Sequence, residues 1–167
     1  SAFPAIFMAD RGYESYNTFA HIEQKGDKYV VRGRESGTGI CSGLNLPDTE
    51  EYDIEKELYI CKKHSKKVKT NPRKYKRIRS DATFDFFTDD CEEYRLNLRI
   101  VKIKLSETTT EVLFTNLSKE EFSADDLKRL YHMRWGIETA FDQLKYALGA
   151  ASVHSKNSEL IIQELYG

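Results

Sequence analysis

The chain has 167 residues, of which 40% are hydrophobic and 32% charged, with a formal charge of −1 at pH 7. That is enough to bury one real core and is the composition of a soluble globular domain. No apolar run approaches the roughly 18 residues of a membrane span and no signal peptide is visible, while Cys41, Cys61 and Cys91 are too isolated for a metal knuckle or a disulfide framework. A cytoplasmic chain with reduced, partly buried thiols is expected.

Ala5 to Ala9 is a continuous apolar run of strand length, followed directly by Asp10-Arg11-Gly12-Tyr13. It reads as a buried strand releasing an acid at its C-terminal end, where open α/β sheets place ligands. Gly12 suits a tight turn, and Asp10 alone would also suit a turn or a helix cap. Ser15 to Gln24 reads as a short helix with Phe19 and Ile22 inward, stopped at Gly26. Residues 37–43 and 45–47 are loop-like, and Glu57 to Lys62 and Thr83 to Phe87 are candidate strands.

Between Lys62 and Arg79 stand ten Lys or Arg residues and no acid, which leaves sixteen bases against twenty-seven acids in the other 149 residues. Such a run is either a solvated loop or, with Tyr75 interleaved and Asn71-Pro72 breaking it, a flexible arm that lies along DNA phosphates through residues such as Lys66, Lys67 and Lys69. From Tyr94 to Leu105, Leu96, Leu98 and Ile100 alternate on one face, then Val101, Ile103 and Leu105 on the other. That change of phase predicts a bulge near Ile100. Glu111 to Asn116 reads as a strand, and Ser123 with Asp126 three residues on predicts the capped start of a long helix.

On that helix Tyr131, Arg134, Glu138 and Lys145 follow at offsets of three, seven and fourteen. At about 100° per residue they share a sector of roughly 60°, flanked by the apolar stripe of Leu130, Ile137, Phe141, Leu144 and Leu148. The quartet therefore borders a core. A carboxylate, two cations and a phenol on such a border suit a metal ion and phosphates. The same spacing also describes a solvated helix with an Arg134–Glu138 ion pair, a stabilisation of about 0.3 kcal/mol. Trp135 suits either packing or contact with a displaced base, and His132 and His154 have no partner at zinc-ligand spacing.

Asp-Arg-Gly-Tyr after a strand and the later Tyr131, Arg134, Glu138 and Lys145 resemble the DDE transposases of bacterial insertion sequences, in the branch with a Tyr-Arg-Glu-Lys signature. Tyr29-Val30-Val31-Arg32, Leu113-Phe114-Thr115-Asn116-Leu117 and His154-Ser155 fall in the order that family shows. The resemblance implies a partial ribonuclease H-like α/β core interrupted by a β-rich insertion that reaches DNA. It divides the chain into core residues 1–35, an insertion over 36–110 and core residues 111–167.

It further implies that Asp10 and Glu138 are catalytic ligands of Mg²⁺ or Mn²⁺ and that Tyr131, Arg134 and Lys145 grip the DNA end. The implied partners are double-stranded DNA, both transposon ends and target, and a second subunit in the synaptic complex, in a cytoplasmic, nucleoid-associated setting. A third carboxylate would lie on a strand before Asp10. The chain opens at Ser1 almost within a strand and closes inside the apolar pattern Leu160, Ile161, Ile162, Leu165. Both ends thus read as cut, and the fragment alone is expected to be inactive. Two alternatives stay open in the sequence: a non-catalytic DNA-binding or assembly module, and a divalent-metal nuclease of the same fold.

Overall fold

The computed structural model describes residues 4–34, 39–79, 82–89 and 92–147, with the backbone alone for Trp135, Ile137, Glu138, 140–142 and 144–147. The chain divides into two compact units, Ser1–Lys128 and Arg129–Gly167.

The first unit is built on β1 (Ile6–Ala9), α1 (Tyr16–Gln24), β2 (Lys28–Gly33), β3 (Tyr52–Cys61), α2 (Lys66–Thr70), β4 (Tyr75–Arg77), β5 (Glu93–Lys104) and β6 (Thr110–Thr115). These strands form one mixed sheet in the order β1-β2-β6-β5-β3-β4. β1 and β2 are parallel and joined through α1, as a β-α-β crossover requires, the pairs β2–β6, β6–β5 and β5–β3 are antiparallel, and β4 pairs parallel to β3. The α/β expectation holds, and the strands of the expected insertion extend the same sheet that carries β1 and β2.

Local sequence sets the ends of α1. Ser15 accepts hydrogen bonds from the Asn17 and Thr18 amides at 3.2 and 3.4 Å, which satisfies donors the first turn leaves orphaned. At the other end Gly26 sits at φ +76°, and the Asp27 and Gly26 amides return to the Ile22 and Glu23 carbonyls at 3.1 and 2.9 Å, a Schellman stop. Phe19 faces inward, fully buried and stacked on Tyr29 at 4.6 Å. Around that pair the core fills one face of the sheet with Val31, Leu58, Ile60, Leu96, Leu98, Ile100 and Phe114.

The opposite face is covered too, and this removes the predicted bulge. Val101 and Ile103 are buried alongside Ile100, and the registers of β5 with β3 and with β6 continue through Ile100 without a slip. A strand buried on both faces carries apolar residues on consecutive positions, which imitates a change of phase. On that second face Arg99, only 3% exposed, holds Asp53 through Nε and Nη2 at 2.9 and 2.7 Å. Its Nη1 donates to the Leu117, Ser118 and Phe122 carbonyls at 3.1, 3.0 and 2.8 Å.

Four other expectations are corrected. β1 is an edge strand, not a buried one, with Ile6 and Phe7 exposed. Gly12 lies in a 3₁₀ turn over Arg11–Tyr13 at a φ open to any residue, and a Cβ there would meet nothing within 4 Å, so no tight turn demands it. Thr83 to Phe87 forms no strand. Instead Asp85 is caught by His21 and Asn17 of α1 at 2.7 and 2.9 Å, and Phe84, Phe86 and Phe87 cluster with Tyr94. Finally, the basic run is a folded segment: Ser65 caps α2, Val68 is buried beneath it and β4 pairs with β3. Cys41 and Cys61 are buried thiols, whereas Cys91 lies outside the described residues.

Candidate active site

In the first unit the acid ends the edge strand. Asp10 follows Ala9, which pairs with Val31 of β2, so the next residue on each strand, Asp10 and Arg32, share the face opposite α1. Arg32 Nη1 lies 3.7 Å from Asp10 Oδ1, and its Nη2 pairs closely with Glu111 of β6. The Glu111 side chain is 2% exposed and that of Asp10 52%. The buried acid thus answers the guanidinium charge, and Asp10 keeps an open carboxylate beyond it. A half-exposed carboxylate at the C-terminal end of parallel strands is a hard oxygen donor of the kind Mg²⁺ takes. Among the described residues no group of three or more His, Cys, Asp or Glu side chains is arranged around a metal position.

Arg32 and Glu111 do not stand out as a pair in the sequence. The available signal is a charge at each end of two neighbouring apolar strands, Val30-Val31-Arg32 and Glu111-Val112-Leu113. Charges buried there need one another.

The second unit begins within α3 (Ala124–Ala147), whose start is fixed by the predicted capping box. The Asp126 amide donates to Ser123 Oγ at 3.2 Å and the Ser123 amide to Asp126 Oδ2 at 3.0 Å. All four members of the quartet lie on the α3 backbone, as the spacing predicts. Tyr131 is fully buried. Arg134 Nη2 donates to its hydroxyl at 3.1 Å, and the guanidinium lies 5.0 Å from the centre of its ring. The ring and hydroxyl of Tyr131 therefore serve to set Arg134. The side chains of Glu138, Lys145 and Trp135, and all of His154, lie outside the described residues.

Of the basic residues expected to meet DNA, Lys66, Lys67 and Lys69 all sit exposed on α2. Lys67 is drawn to Glu93 at 3.4 Å and rests 5.6 Å from the centre of the Tyr75 ring.

Comparison with known proteins gives this arrangement a family. The sequence model described as "Transposase DDE domain" matches residues 2–167. The chain is 36% identical over 69 residues to the transposase for insertion sequence element IS421 of Escherichia coli, a match covering 41% of this chain and 19% of that protein. The putative transposase InsL for insertion sequence element IS186A of Escherichia coli strain K12 matches with the same identity over 69 residues, 41% of this chain and 19% of its own length. The matched region thus spans about a fifth of these curated relatives. With a model matched over nearly its whole length, and an acid set at the end of a parallel strand pair, the chain belongs to the DDE transposase domain family.

Proposed function

We propose that this chain is part of the catalytic domain of an insertion-sequence transposase that cleaves transposon ends and joins them to target DNA. The observation that carries the reading is the open Asp10 carboxylate at the C-terminal end of β1, with α3 bearing Glu138 later in the chain. Asp10 and Glu138 supply oxygen donors for divalent cations. Two such cations, when bound, activate the attacking oxygen and neutralise the leaving one of a phosphodiester. Arg134, held by Tyr131, presents a bidentate fork to a phosphate beside Glu138, and Lys145 adds a point charge. Arg32, its charge answered by Glu111, stands 3.7 Å from Asp10 Oδ1 and helps orient that carboxylate.

The third carboxylate of the set comes, on this reading, from a strand that adds to the edge of β1 that no described strand occupies. The exposed Ile6 and Phe7 side chains support this, since an apolar edge strand is a template for pairing. These 167 residues alone accordingly leave DNA ends uncut. In the complete enzyme the domain works on double-stranded DNA as one subunit of a synaptic dimer, in the cytoplasm at the nucleoid. Among the described residues no helix is long and apolar enough to cross a membrane.

The test is strand cleavage of a labelled transposon end by the complete transposase with Mg²⁺ or Mn²⁺. Glu138→Gln should abolish cleavage while duplex binding stays within about twofold, because the substitution removes a metal ligand and leaves the phosphate grip in place. Cleavage at the parent rate would end the transposase reading.

A further inference from the structure

The ten basic residues between Lys62 and Arg79 do not present one uniform charge. Lys63 pairs closely with Glu92, Lys67 with Glu93 at 3.4 Å and Lys74 with Glu57 at 2.9 Å. Lys76 is committed inward: it is half-buried, donates to the Gly43 carbonyl at 2.7 Å, and burial and Lys56 together pull its ammonium below its ordinary range. Lys62 and Arg77 differ. Like Lys66, Lys69 and Arg73, both are exposed and pair with no carboxylate among the described residues, and what sets them apart is the cleft they line. With Arg79 they line one cleft of about 360 Å³, whose apolar wall is Phe84 and Phe87. No acid stands among its described lining residues.

We propose that this cleft, and not the lysine row on α2, is the DNA-backbone grip of the first unit, an assignment that rests on the transposase reading. Three features fit the cleft to a phosphodiester. Arg77 offers a planar fork that matches phosphate oxygens bidentately, and Lys62 adds a compact charge. The cluster of Phe84, Phe86, Phe87 and Tyr94 is anchored to α1 through Asp85, so the wall is preorganised. Phosphate binding there need not break an existing ion pair at Lys62 or Arg77, whereas engaging Lys67 would first have to release Glu93.

The experiment titrates the 167-residue chain into a fluorescein-labelled duplex of arbitrary sequence across a salt series, with folding of each variant checked by circular dichroism. The double variant Lys62→Ala/Arg77→Ala should weaken binding at least tenfold. The slope of log affinity against log salt should flatten by about 0.9 for each phosphate that the variant no longer neutralises. Lys67→Ala/Lys69→Ala should change affinity less than twofold, and Arg77→Glu alone should weaken binding more than Arg77→Ala. Equal losses in both double variants, a loss confined to the α2 pair, or no duplex binding by the parent chain would each overturn the proposal. If duplex binding is normal and indifferent to the cleft substitutions, the cleft assignment alone falls. Cleavage surviving Glu138→Gln in the complete enzyme sinks the transposase reading whatever the cleft does.

Discussion

Arg99 shows how much one buried cation can organise. Burial pushes the Asp53 carboxyl up, but the Arg99 hydrogen bonds and charge, with Lys119 beside them, outweigh it and hold the pKa below the ordinary value. Asp53 therefore adds stability that is present above about pH 4 and lost as pH falls through its lower, folded value. Replacing Arg99 by Met would strand three carbonyls and leave Asp53 with Lys119 as its remaining cation, at about 3 kcal/mol. Thermal denaturation at pH 7 should show a Tm lower by roughly 10 °C. A Tm within 2 °C of the parent would mean that water replaces the guanidinium. Tyr131→Phe asks a finer question, since it keeps the ring under Arg134 and removes only the hydroxyl. Cleavage by the complete transposase should fall about tenfold, as expected for one hydrogen bond to a charged group, and Arg134→Lys should not restore it. Neither buried role is legible from sequence. Arg99 and Tyr131 sit in alternations that equally suit a solvent face, and only the carbonyls and guanidinium brought to them in space decide otherwise.

Secondary-structure elements are legible where their signals are local. Ser15, Gly26 and the Ser123–Asp126 box act within a few residues, and all lie where the sequence places them. Removing the box by Ser123→Ala should cost about 1 kcal/mol, measurable as a lower midpoint in urea. The segment around Asp85 imitates a strand because its partners, Asn17 and His21, are 68 and 64 residues away. The Asn17 hydrogen bond, then the His21 bond and charge, hold the Asp85 carboxyl below its ordinary value. The sign follows: the latch holds above the usual carboxylate range and weakens as pH falls through it. Amide exchange in residues 82–89 should therefore speed up, relative to the core strands, between about pH 5 and pH 3 after correction for intrinsic rates. Asp85→Asn should abolish that dependence. If the variant and parent show the same acid response, the latch does not govern the segment.

At the scale of the molecule, β1 is the exposed apolar margin of an otherwise well-covered sheet. Phe7→Lys should leave the Tm of these 167 residues within about 2 °C, since Phe7 is 48% exposed, yet lower that of the complete transposase by more. Equal effects in the two proteins would argue against a strand added at that edge. An apolar run such as β1 signals burial in a sequence, but it reports the strand's chemistry and not which neighbours these residues contain. The insertion strands carry a different consequence. β3, β4 and β5 complete the sheet begun by β1, β2 and β6, and β5 contributes Arg99 to the turn ahead of α3. Such a segment is no removable cassette. Joining residue 34 to residue 110 through a short linker would leave β6 paired with β2 alone, without β5 on its other side, and would leave three carbonyls in need of a donor, so the shortened chain should lose its cooperative unfolding transition. Evolution can then decorate the tips of this insertion freely, but it can discard the insertion only by reinventing the support for the helix that follows.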